Sequence, residues 1–128
     1  MGLTPTISVG RQHVEAYGDG GFRVSGKRWQ GSVLVFREQN IAWPVKTFAE
    51  IEIVHLMPVI EPADPGLKIE ILLLGCGRQM ELVGPDLRAH LRNSGISIEP
   101  MDTGGACRTY NVLANENRKV AVALIAIQ

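Results

Sequence analysis

Residues 68–77, Lys-Ile-Glu-Ile-Leu-Leu-Leu-Gly-Cys-Gly, decide the fold. Ile69, Ile71, Leu72, Leu73 and Leu74 form a nearly continuous apolar run, the pattern of a strand buried on both faces of a sheet. The polar, proline-containing stretch Glu61–Gly66 before it reads as a loop, and Gly75-Cys76-Gly77 closes it. A sheet covered on both sides needs helices, and the chain downstream supplies them. Pro85 suits the first turn of a helix that turns Leu87 and Leu91 inward and Arg88 and Arg92 outward, and Gly95 stops it. Ile96–Pro100 then reads as a short strand, Gly105–Glu116 as a helix and Lys119–Ile127 as a last apolar strand. This β-α-β-α-β order predicts an α/β fold with a mixed, largely parallel sheet covered by helices.

Upstream, the chain reads as strands. His13–Tyr17 and Phe22–Ser25 flank the turn Gly18-Asp19-Gly20-Gly21, and Gly26–Gly31 reads as a further bend. Ser32–Phe36 is a β-branched and aromatic run suited to a core strand; Glu38–Asn40 is turn-like, and Ile41–Trp43 is a return strand ended by Pro44. Thr47 and Glu50 have capping-box spacing, while Pro58 forbids a long helix, so a short helix near residues 53–60 is expected, with Pro58 close to its first turn. With no linker, repeat or low-complexity tract, residues 1–128 read as one domain, residues 1–6 forming a flexible tail.

Composition excludes several classes of function. Thirteen Lys plus Arg against thirteen Asp plus Glu leave no net field to gather nucleic acid, and no basic cluster is interleaved with aromatics. Cys76 and Cys107 are too few for a disulfide framework and lack zinc-site spacing; they read as reduced thiols. The start, MGLTPTISVG, lacks a charged region followed by an apolar stretch, so no secretory signal is expected. The longest apolar run, Val120–Ile127, falls far short of the ~20 residues of a spanning helix. A cytoplasmic protein follows as the expectation.

Two segments could carry chemistry. The first is Gly75-Cys76-Gly77, at the end of the buried strand, where open α/β sheets tend to bind ligands. Met80 stands where a dinucleotide fingerprint has its third glycine, and the next helix begins only near Pro85, so a tight turn without ligand is the plainer reading. The second is Asp102–Asn111, DTGGACRTYN. Asp102 and Thr103 are both good helix N-caps. Gly104 and Gly105 are costly inside a helix, so they imply an unusual backbone angle or a close approach by another chain or ligand. Tyr110 shares a helix face with Ala106 and Leu113, while Arg108, Thr109 and Asn111 lie toward the other side. Cys107 sits near a helix start beside Arg108, but His13, His55 and His90 are scattered and none is placed as its base, so a buried thiol filling core space is the plainer reading. No catalytic residue or metal ligand set is assigned.

If the strands at 69–74 and 96–100 are parallel, both segments emerge at one sheet edge. Gly75, Cys76, Gly77 and Arg78 would then face Asp102, Thr103, Gly104, Gly105, Cys107, Arg108, Tyr110 and Asn111. Such an edge would frame an anion-attracting pocket or a partner site, with Cys76 and Cys107 near each other.

Several stretches carry a resemblance: Gly21–Gly26, Gly31–Val35, Trp43-Pro44, Glu70–Gly77, Leu87-Arg88, Gly95-Ile96, Met101–Thr103, Ala106–Leu113 and Ala123–Ile125. Together, over about residues 7–127, the chain resembles the family that includes mitochondrial complex I (NADH:ubiquinone oxidoreductase) assembly factor 3 and its bacterial and archaeal relatives. The resemblance implies a compact three-layer α/β domain with a mixed central sheet and an additional β-hairpin layer. It further implies a role in assembling respiratory complex I through contacts with complex subunits or other assembly factors, and no cofactor. Cys76 stands where relatives often carry threonine, which argues against an essential hydroxyl there. With no organellar presequence, a bacterial version is expected, in the cytoplasm or at the inner face of the inner membrane. A non-enzymatic binding factor is the leading reading, with Trp29, Trp43 and Phe48 as candidate anchors. A small-molecule (anion or nucleotide) binding protein or enzyme using the 75–77/102–111 edge is the alternative.

Overall fold

The structure, a computed structural model, describes residues 11–128; the tail expected over 1–6 lies outside that range. The run at 68–74 delivers the strand Ile71–Gly75 (β6), whose Leu72, Leu73 and Leu74 are all buried. It sits inside a five-stranded sheet. The other members are Val33–Val35 (β4), Asn40–Ala42 (β5), Ser97–Met101 (β7) and Val120–Leu124 (β8), in the order β5-β4-β8-β6-β7. β6 pairs in parallel with β7 and β8, whereas β4 pairs antiparallel with β5 and β8. Parallel character is thus confined to the half built by helical crossovers, and the hairpin β4–β5 closes the other half.

The two crossovers run in opposite directions from β7. β6 reaches its neighbour β7 through the helix Pro85–Asn93 (α2), and β7 returns past β6 to β8 through Thr103–Asn115 (α3). Because such connections are right-handed, reversing direction puts the second helix on the opposite face. The side chains follow. Leu72, Leu74, Ala121 and Ala123 pack with Leu91 of α2, and Leu73, Val122 and Leu124 pack with Ala106 and Tyr110 of α3.

The α3 face is shared with a three-stranded meander, Val14–Gly18 (β1), Gly21–Val24 (β2) and Lys27–Gln30 (β3), which buries Phe22 and Val24 in the same core. The layers are therefore α2 with short helical turns, the central sheet, and α3 with the meander.

Four local expectations are corrected. Residues 27–30 form β3 where a bend was expected. Ser25 (φ 48°) and Gly26 (φ 83°) make a two-residue turn, which frees the next four residues to pair with β2. The short helix near 53–60 splits into a 3-10 turn, Ile53–Leu56, and one α-helical turn, Met57–Ile60 (α1), with Pro58 in its first turn. Thr47 makes no side-chain cap; Glu50 instead accepts the backbone N–H of Lys46 at 2.8 Å. α3 also begins at Thr103, two residues before the expected start.

Candidate functional site

β6 and β7 are adjacent parallel strands whose following helices lie on opposite faces, so their C-terminal ends form the switch-point crevice where open α/β folds tend to bind ligands. The structure does bring residues 75–77 and 102–105 together there. It also fills the gap with the chain's own hydrogen bonds. The N–H of Cys76 donates to the carbonyl of Met101 (2.8 Å), and the N–H of Thr103 donates to the carbonyl of Gly77 (2.8 Å). The Thr103 hydroxyl accepts the N–H of Gly77 (2.9 Å) and donates to the carbonyl of Ile125 (2.8 Å), so one fully buried side chain joins the ends of β6 and β8 to the start of α3.

The first turn of α3 is satisfied in the same way. The Asp102 carboxylate accepts the N–H of Gly105 (3.3 Å), and the Asp102 carbonyl accepts that of Ala106 (2.9 Å). The amides that would cradle a phosphate are therefore largely committed.

The glycines have packing reasons. A Cβ on Gly75 would stand 3.0 Å from Leu124, 3.1 Å from the Thr103 backbone and 3.2 Å from Ala106, so glycine lets α3 sit directly on β6. A Cβ on Gly104 would run into the hydroxyl of Tyr17 on β1. Asn111, further along α3, holds the meander: its amide accepts the N–H of Val14 (3.0 Å) and donates to the carbonyl of Val14 (2.8 Å).

The thiols do not meet. Cys76 belongs to the core on the α2 face and Cys107 to the core on the α3 face, because residues 72, 74 and 76 share one side of the sheet while α3 covers the other. Burial raises both thiols, outweighing Arg108 at Cys107, which is pushed up to about 12. Burial likewise raises the Tyr110 phenol against the opposing charges of Arg11 and Arg37. A protonated, buried thiol is a poor nucleophile.

Of the candidate site residues at 75–78 and 102–111, only Arg78 and Arg108 are exposed. Arg78 donates to the backbone carbonyl of Gln128 at 3.0 Å. Trp43 is core, with its indole N–H on the carbonyl of His55 (2.8 Å), and Trp29 and Phe48 are half-buried. Two residues to which sequence reasoning assigned no surface role stand out. Met80 and Leu82, on the loop leaving the crevice, are 53% and 83% exposed. Apolar residues are ordinary in any sequence, and only the fold shows these two in solvent.

The fold and crevice define a class: a mixed α/β domain whose switch-point crevice is sealed by its own backbone. The family described as "protein of unknown function (DUF498/DUF598)" matches residues 14–125, and the chain belongs to this family. It is 32% identical over 117 residues to NADH dehydrogenase [ubiquinone] 1 alpha subcomplex assembly factor 3 of Xenopus tropicalis, covering 90% of this chain and 61% of that one. An uncharacterised protein of Rhodobacter capsulatus is 29% identical, over 91% of this chain and 86% of its own length. The chain thus spans about three fifths of the animal relatives it matches.

Among solved structures, one titled as an outer membrane protein from Bartonella henselae superposes with a TM-score of 0.84 at 32% identity, covering 94% of this chain and 98% of that one. A Bordetella pertussis protein titled a Mth938-like domain gives 0.78 at 32% identity, covering 98% and 90%. Among the described residues no helix is long and apolar enough to cross a membrane.

Proposed function

We propose that this chain is a protein-binding factor without catalysis of its own, assisting assembly of the respiratory NADH dehydrogenase, complex I. The observation that carries this reading is the sealed crevice beside an exposed apolar loop. Thr103, Gly77 and Asp102 commit most of the polar groups a small ligand would need, while Met80 and Leu82 offer solvent an apolar pair beside them. Apolar side chains held in solvent next to a rigid edge suit contact with another protein. Arg78 and Arg108, exposed at the same end of the sheet, supply a polar rim. The partner's identity is carried over from the relatives named as NADH dehydrogenase assembly factors, and the proposed place of action is the cytoplasmic face of a bacterial inner membrane.

Deletion of the gene tests the role. Native gels of deletion-strain membranes are expected to show less fully assembled NADH dehydrogenase and accumulated partial complexes, restored by the plasmid-borne chain. Unchanged complex and unchanged NADH oxidation in the deletion strain would overturn the reading.

A further inference from the structure

A groove of about 970 Å³ lies away from the β6–β7 crevice, between the outer strands of the two sheets. Lys27 and Trp29 of β3, Asn40 of β5, and Arg11, His13 and Glu15 line it. Two polar atoms of these walls, Trp29 Nε1 and Asn40 Oδ1, are shielded from solvent and have no hydrogen-bond partner among the described residues. The first can only donate and the second can only accept. Buried groups left unpaired in this way are few in native folds, and each calls for an explanation. The Asn40 amide is held in place, since its Nδ2 donates to Gln12 Oε1 at 2.9 Å.

The charges are also unequal. Glu15 is engaged by Arg23 at 3.5 Å and by the N–H of Gly26 at 2.8 Å. Arg11 instead bonds the neutral oxygens of Ala114 (3.3 Å) and Asn117 (2.6 Å), and the Lys27 ammonium stands 5.0 Å from the centre of the Trp29 ring. Among the described residues neither cation has a carboxylate partner.

We propose that this groove binds an extended, acidic peptide segment of a partner protein. Carboxylates on the segment face Arg11 and Lys27, and once the side chains that shield them move aside a peptide unit presents a carbonyl for Trp29 Nε1 and an N–H for Asn40 Oδ1. The volume is at the top of the roughly 300–1,000 Å³ range of small-molecule pockets, so the groove has room for a short extended segment. Lys27 pairs with Val24, and Trp29 with Phe22, so both fall on the core-facing side of β3. A lysine there opposes indiscriminate strand addition, and recognition runs through side chains. This surface is separate from Met80 and Leu82 and does not depend on their role.

The probe is a phage-displayed library of random peptides, panned on the full chain, with an enriched peptide then titrated into nitrogen-15-labelled protein. Enriched sequences are expected to be rich in Asp and Glu. The Trp29 indole resonance should shift while that of Trp43, already bonded to His55, stays. Lys27→Glu, at an exposed position, should weaken binding about tenfold and leave the thermal midpoint unchanged, and Trp29→Phe should weaken it similarly. Absence of any enriched sequence, enrichment of neutral or basic peptides, or binding indifferent to Lys27→Glu overturns the proposal, whether or not Trp29→Phe folds.

Discussion

Thr103 and Gly77 grip each other twice across the gap between β6 and β7: each backbone N–H is bound by the other residue, one through the threonine hydroxyl (2.9 Å) and one through the glycine carbonyl (2.8 Å). The hydroxyl's own proton goes to Ile125, so the strand ends and the start of α3 move as one piece.

Thr103→Val keeps the shape but strands the N–H of Gly77 and the carbonyl of Ile125 in a buried site. Each unpaired group costs about 1–3 kcal/mol, so a loss of roughly 2–4 kcal/mol is expected in urea unfolding. Thr103→Ser retains the hydroxyl and should lose less than half as much. Equal losses in the two variants would mean that the methyl group, not the hydroxyl, matters.

Gly104 is a second test of the packing. Alanine inside a helix normally stabilises by about 1 kcal/mol relative to glycine. Here its Cβ meets the Tyr17 hydroxyl, so Gly104→Ala alone should gain little or lose stability. In a Tyr17→Ala background the same change should recover the full gain. Additive effects in the double-mutant cycle would show that Tyr17 does not constrain this position.

The alkaline limb of stability follows from the buried thiols and phenol. Cys107 holds its proton up to about 12, whereas an unfolded cysteine releases it near about 8.5. The folded state therefore keeps a proton that the unfolded chain gives up, and stability is full below about pH 8.5 and falls as pH rises towards 12. Cys76 and Tyr110, shifted the same way, add to the fall. Cys107→Ala should make the limb shallower, by at most about 1.4 kcal/mol per pH unit. Both thiols should also resist a disulfide reagent at neutral pH until denaturant is added. An unchanged slope, or rapid labelling of the native protein, contradicts the burial described.

What the sequence disclosed follows from where the information lies. β6 was legible because burial on both faces writes itself as a run of leucines, and α2 because Pro85 and Gly95 bracket an amphipathic stretch. β3 was not: Lys27, Arg28 and Gln30 are exposed, and its only marker is a two-residue turn whose glycine also reads as the start of a bend. The segment 102–111 was visible as unusual, and Asp102 was legible as a cap. The tasks of Gly104 and Asn111 were not, since their partners Tyr17 and Val14 lie on β1, far away along the chain. The exposure of Met80 and Leu82 is likewise a property of the fold.

The assembly role is tested most directly at that loop. Met80→Glu/Leu82→Glu changes two exposed side chains, and exposed positions usually alter stability by less than about 0.5 kcal/mol each. Tagged wild-type and doubly substituted chains are to be captured from membranes and cytosol of the source organism, and their partners quantified by mass spectrometry. The expected result is NADH dehydrogenase subunits or assembly proteins with the wild type, reduced about tenfold or more with the equally stable variant, as for loss of a hot-spot contact. Reproducible absence of those proteins from the wild-type capture, or equal recovery with both chains, would contradict it.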